Sequence, residues 1–98
     1  MTHFVVLGTD AAGQAALRAE LRPVHRAWLR EHPGHAVRVV HGGPTLDEAG
    51  AMNGTLLVVE AEGIAQVRRF LAEDPYTRGG LFAQLEIRAW NWSLRTGP

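Results

Sequence analysis

The order in which apolar periodicity changes along this chain constrains its fold more than any other feature: strand, helix, strand, strand, helix, strand, each closed by glycine, proline or a polar turn. Phe4-Val5-Val6-Leu7 is β-branched and aromatic, is bounded by Gly8, and reads as a first strand. Thr9 and Asp10 then offer N-cap chemistry for a helix, whose stripe is Leu17, Leu21, Val24 and Trp28. Pro23 removes one backbone hydrogen bond, so a kink or a second helical segment is expected there, with Pro33-Gly34 as the stop. Val37, Val39 and Val40 form a second strand closed by Gly42-Gly43-Pro44, and Thr45 to Asn53 reads as a loop. Thr55 to Ala61 is a third strand. Ile64, Val67, Phe70 and Leu71 place a second helix over Gly63 to Glu73, stopped by Asp74-Pro75. A last strand runs from Leu81 to Trp92, its residues alternating between two faces.

That βαββαβ order is the ferredoxin-like arrangement, an α+β fold with two helices on one face of a four-stranded antiparallel sheet. Residues 1–98 make one domain, because a chain this short has no room for a second core. The first and third strands are apolar at successive positions, hence on both faces, while helices cover only one. The other face would leave apolar surface in water at roughly 25 cal/mol per Å². A homodimer packed sheet to sheet, with a shared sandwich or barrel interior, removes that cost. The alternative is a short apolar face tolerated in water.

Ten arginines, with no lysine, balance ten acidic residues, so the formal charge is zero. That balance speaks against a nucleic-acid groove and against a polybasic membrane surface, both of which need a cationic excess. The absence of cysteine excludes disulfides, thiolate metal sites and cysteine nucleophiles. No signal-peptide pattern or membrane-length apolar run is present, so the expected location is cytoplasmic.

The residues that could carry chemistry sit beside prolines. His25 follows Pro23 by two positions; an imidazole is the side chain suited to exchanging a proton near neutral pH with little tuning. It can equally be a partly buried histidine bonded to a carbonyl. Asp74 precedes Pro75 and can cap the turn into Tyr76, or it can face His25 and orient the imidazole as the second member of an acid–base dyad. Arg22 lies three residues before His25 and suits a substrate carboxylate. Tyr76 can donate to a ligand oxygen or cover the core edge. Gly42-Gly43-Pro44 lacks the pattern of a phosphate loop but allows close backbone approach, which makes Gly43 and Pro44 candidate substrate contacts. His41 alternates with Val37 and Val39 and is placed on the sheet surface. His32 and His35 have Pro33-Gly34 between them, so no helical metal-ligand spacing results, and no metal or cofactor is expected. The lone serine, Ser93, lies in the tail and is no credible nucleophile. Trp90 and Trp92 share one strand face and suit either an aromatic ligand or a dimer contact.

Arg22-Pro23-Val24-His25-Arg26-Ala27-Trp28-Leu29, Gly42-Gly43-Pro44, Gly54-Thr55, and Asp74-Pro75-Tyr76 with Gly80 follow one another in an order and spacing that resemble the YCII-related domain family over nearly the whole chain. The resemblance implies a dimeric α+β barrel of ferredoxin-like protomers. It also implies a pocket with a histidine and an aspartate, which here match His25 and Asp74. One relative is a dehydrochlorinase of a chlorinated hydroxyquinol, and the wider fold superfamily includes muconolactone isomerases and small monooxygenases. In an ideal fold of this kind the helices run antiparallel, which sets Asp74 nearer the start of the first helix than its middle.

Three functions fit these residues. The first is a cofactor-free enzyme acting on a small acidic or phenolic molecule by His/Asp proton transfer, of isomerase or lyase (dehydrochlorinase) type. The second is a non-catalytic small-molecule-binding or accessory module, with His25 and Asp74 as a structural pair. The third, a haem- or oxygen-dependent monooxygenase, has no iron ligand marked in the sequence.

Overall fold

The computed structural model describes residues 1–31 and 34–96. In chain order the elements are β1 (Thr2–Asp10), α1 (Ala15–Leu29), β2 (Arg38–Leu46), β3 (Met52–Ala61), α2 (Ile64–Ala72), α3 (Pro75–Arg78) and β4 (Phe82–Trp90). The strands form one antiparallel sheet in the order β2-β3-β1-β4. This is the ferredoxin-like fold expected from the sequence. No helix among the described residues is long and apolar enough to cross a membrane.

The core lies on the helix-covered face. Cross-strand pairs Phe4–Val59 and Val6–Leu57 point inward and meet Val67, Phe70 and Leu71 of α2. Trp28 of α1 closes the far side by stacking on Phe70, with centroids 4.5 Å apart. Each such fully buried side chain contributes about 1.5–3 kcal/mol of transfer free energy. On the opposite face Val5–Val58 and Leu7–Leu56 pair, and Leu7 and Leu56 are exposed.

Several local expectations are corrected. Thr9 and Asp10 do not cap α1: both belong to β1, and Gln14 precedes the first helical turn. The glycines of Gly42-Gly43-Pro44 do not close β2, which continues through them to Leu46 on a sheet edge, where proline needs no ladder donor. The expected loop therefore shrinks to a tight turn in which the Asp47 carboxylate accepts the amides of Ala49 and Ala51. α1 is one helix through Pro23 and already ends at Leu29. Pro33 lies outside the described residues. Val24, assigned to the apolar stripe, is 57% exposed. The two buried side chains of α1 are Arg18 and His25, so this helix turns a polar stripe inward.

Asp74-Pro75 stops α2 but also starts the one-turn α3, with Pro75 at the first position, where its missing N–H costs nothing. Gly79 lets α3 lie against α1: a Cβ there would stand 2.6 Å from Leu21 Cδ1. Gly80 ends the turn at φ +74°, a conformation that favours glycine. On the sheet side, a Cβ at Gly8 would stand 2.7 Å from the Phe82 ring. Phe82 in turn meets Tyr76 edge to face at 5.8 Å. These close approaches hold α3, and with it Asp74 and Tyr76, beside the middle of α1.

Candidate functional site

A cavity of about 270 Å³ opens between α1 and the neighbouring strands β2 and β3. Of the residues selected from the sequence, Arg22, His25, Gly43, Pro44 and Tyr76 line it. Asp74 stands behind His25. Its Oδ2 is 3.5 Å from His25 Nε2, and both side chains are almost fully buried. Its Oδ1 accepts the Tyr76 amide at 2.8 Å. The turn-cap role weighed for Asp74 is therefore present in its geometry, and the same carboxylate faces His25. The placement near the start of α1 is overturned: the Asp74 carboxylate lies at the level of His25, four residues from the end of α1.

The imidazole is held on its faces. It stacks on the Tyr76 ring at 3.9 Å with an 18° tilt, and Trp28 lies 5.9 Å away. Nε2 is buried without a hydrogen bond at acceptable geometry, so Asp74 is its nearest ionic neighbour but not a tightly bonded one.

The sequence reading missed Arg18, Asp10 and Thr55. Arg18 is 4% exposed. It donates from Nε to Asp10 Oδ2 at 2.6 Å and from Nη2 to Asp10 Oδ1 at 2.9 Å, a two-pronged ion pair. Nη2 also donates to Thr55 Oγ1 at 2.8 Å, and Nη1 reaches the Tyr76 hydroxyl at 3.4 Å. The bond to Asp10 raises the guanidinium pKa further above its ordinary range, so Arg18 is a permanent cation. Burial pushes the Tyr76 phenol upward against the opposing pull of Arg18, which keeps it a protonated donor at neutral pH. Arg18 and Thr55 line the cavity with Tyr76.

Arg26 and the C-cap residue Arg30 complete a row with Arg18 and Arg22, four residues apart along α1 and its C-terminal end. That spacing was legible in the sequence as one cationic helix face. It was masked by the zero net charge, which averages over the whole chain. Arg22, Arg26 and Arg30 also border a second hollow with Ala19 and Pro23. The cavity therefore combines a histidine–carboxylate pair with a strongly cationic wall.

His41 lies on the sheet surface, but a bulge between Val39 and His41 turns it to the face opposite Val39. There Trp92 meets both His3 (5.7 Å) and His41 (5.2 Å), and stacks with Trp90 at 5.7 Å although β4 has already ended. His32 lies outside the described residues. His35 holds the Trp28 carbonyl through Nε2 at 2.6 Å. Among the described residues no group of three or more His, Cys, Asp or Glu side chains gathers at metal-binding distance.

Fold and site together define an α+β domain of the ferredoxin-like class in which His25, Tyr76 and a row of arginines line one cavity at the sheet–helix seam. Residues 2–91 match the family model of the YCII-related domain, and the chain belongs to that family. Among solved structures it is similar to 5-chloro-2-hydroxyhydroquinone dehydrochlorinase (TftG) from Burkholderia phenoliruptrix, in complex with 2,5-dihydroxybenzoquinone. The two are 30% identical with a TM-score of 0.79, over 91% of this chain and 93% of that one. SnoaB from Streptomyces nogalater, a cofactor-independent oxygenase, shares the fold at 16% identity and a TM-score of 0.57, over 96% and 94% of the respective chains. At3g17210 from Arabidopsis thaliana does so at 10% and 0.54, over 98% and 99%. No curated protein sequence matches the chain.

Proposed function

We propose that this protein is an enzyme that moves a proton on a small acidic or phenolic molecule, with His25 as the base or acid and Asp74 as its partner. The observation that carries this reading is the 3.5 Å approach of His25 Nε2 to Asp74 Oδ2 at the wall of an arginine-lined cavity. With Nε2 turned to the carboxylate, Nδ1 is the nitrogen offered to a ligand. Asp74 stabilises the imidazolium that forms when Nδ1 takes a proton. Arg22, with Arg26 beside it, attracts the anionic substrate, and the backbone at Gly43 and Pro44 closes the opposite wall.

Proton abstraction followed by loss of an anionic leaving group, or by return of the proton elsewhere, calls only on these groups. Elimination of chloride from a chlorinated hydroxyquinol is the reaction of this type suggested by the likeness to TftG. The cavity, at the small end of ligand pockets, suits a single six-membered ring.

The test is chloride release from 5-chloro-2-hydroxyhydroquinone by the purified protein. Turnover that falls at least a hundredfold in His25→Ala, with the fold retained, supports the proposal. Equal turnover in the two proteins removes His25 from the mechanism. The burial of His25, 4% exposed, favours one other reading, a binding module in which His25 and Asp74 are structural; that reading expects ligand-induced stabilisation with no product.

The exposed Leu7–Leu56 pair, flanked by Val5–Val58 on the face that no helix covers, supports a homodimer formed sheet to sheet.

A further inference from the structure

The arginine row extends further than a single anionic ring can use. Arg18 is buried and committed to Asp10. Arg22 is half-buried at the cavity wall, and Arg26 and Arg30 are exposed residues lining the same cavity. None of these last three has a carboxylate partner among the described residues. The helix offers them none: no acidic residue stands three or four positions from Arg22, Arg26 or Arg30. Each neighbouring pair is a like-charge pair at the i, i+4 spacing, which works against the helix. A bound anion would relieve that repulsion.

The space beside the row is an independent observation. A hollow of about 420 Å³ is bordered by Ala19, Arg22, Pro23, Arg26 and Arg30. Ala19 and Pro23 are short and uncharged, so among the described residues the three guanidinium groups supply all the charge of that border. Arg22, Arg26 and Arg30 also line the His25 cavity, so the two spaces adjoin along one row. From Arg22 to Arg30 the helix advances about 12 Å, more than one six-membered ring covers. His25 lies within that span, about 7–8 Å along the axis from Arg30.

We infer that the ligand is two-headed: a phenolic or enolic ring beside His25 and, on a chain of about two or three atoms, a carboxylate seated between Arg26 and Arg30 at the second hollow. The inference rests on the reading that the His25 cavity binds a small acidic molecule, and adds a second anionic group held by residues of its own. Guanidinium groups suit a carboxylate because each can grip both of its oxygens. Distance supplies the selectivity. A carboxylate attached directly to the ring stays in the cavity, and one on a short chain reaches the adjoining hollow.

The experiment compares two acid–amide pairs by calorimetry at low ionic strength. 3-(4-Hydroxyphenyl)propionate and its amide share a shape and differ in charge; the acid is expected to bind about tenfold more tightly or better. 4-Hydroxybenzoate and 4-hydroxybenzamide have no spacer, and are expected to differ less. In the double variant Arg26→Gln, Arg30→Gln the preference for the longer acid should vanish, while the affinity of its amide stays within about twofold. Both positions are exposed, so the fold is expected to survive the two substitutions. Equal affinity for the long acid and its amide, an equal preference in the two pairs, a preference that survives in the double variant, or no binding of either long compound would each overturn the inference. The two proposals fail separately. His25→Ala should lose turnover and keep the preference for the long acid. Binding of 2,5-dihydroxybenzoquinone without any preference for the long acid would sink the second site alone, and failure of both ligands to bind would sink the cavity reading with it.

Discussion

Asp74 divides its carboxylate between two tasks: Oδ2 approaches His25 Nε2 at 3.5 Å, and Oδ1 accepts the Tyr76 amide at 2.8 Å. One oxygen caps the short helix that carries Tyr76, and the other faces the buried imidazole.

That division makes two substitutions separable. Asp74→Asn retains an amide oxygen for the cap but removes the charge beside His25. Activity is expected to fall by about 10²–10⁴ while stability changes by less than about 1 kcal/mol. Asp74→Ala removes both roles and should cost a further 1–2 kcal/mol or so, as cap losses do. Denaturant titration beside a turnover assay distinguishes them; equal stability loss in the two variants would contradict the division.

Arg18 and Asp10 form a nearly buried ion pair, with side chains 4% and 9% exposed. Truncation of Asp10 to alanine strands a permanent cation and is expected to destabilise the protein by about 3–5 kcal/mol. Chemical denaturation measures this, and a loss under about 1 kcal/mol would mean that solvent reaches the guanidinium freely.

Tyr76 is expected to contribute to the pH dependence of stability above pH 10. Burial raises its folded pKa above the free value near 10, so the folded state holds its proton longer than the unfolded chain. Its contribution is complete below about pH 10 and is lost as pH rises toward the folded pKa. Tyr76 is the sole tyrosine, so tyrosinate absorbance reports this one residue. Stability should fall from pH 10 upward, and the slope should flatten in Tyr76→Phe.

The row of Arg22, Arg26 and Arg30 predicts salt-sensitive recognition. Binding of 2,5-dihydroxybenzoquinone should weaken several-fold between low and physiological ionic strength, because exposed charges are screened over about 8–10 Å. Arg26→Gln should remove part of that dependence and leave the fold intact. A salt-independent affinity would count against the cationic wall as an attractor.

The proposed homodimer is testable at Leu56, which is 39% exposed and pairs with Leu7 on the uncovered face. Light scattering should find a dimer for the unmodified protein and a monomer for Leu56→Glu, since an unpaired charge opposes burial of the interface. A monomeric parent protein would refute the sheet-to-sheet contact.

How much of this was legible differs from element to element. The βαββαβ order of elements followed from Phe4–Leu7, Thr55–Ala61 and the α2 stripe, because period-two and period-3.6 patterns are local records of burial. His25, Asp74, Arg22, Gly43, Pro44 and Tyr76 could be selected because proline, glycine and ionisable groups announce themselves singly. Arg18 could not be weighted in the same way. Its importance lies in contacts with Asp10, eight positions earlier, Thr55, thirty-seven later, and Tyr76, fifty-eight later. Asp10 was misplaced because the cap chemistry of Thr9-Asp10 is compatible with a helix start, and the strand simply ran on past it.

By itself, then, the sequence determined the ferredoxin-like order of elements and put the ionisable residues on the chain. Whether Asp74 meets His25, which face of α1 turns inward, and which groups converge on Arg18 were decided only by tertiary structure. Those outcomes depend on how closely α3 docks on α1 beside Leu21 and Gly79. Close packing at one glycine moves side chains remote in sequence by the few ångströms that separate a hydrogen-bonding or ionic contact from none.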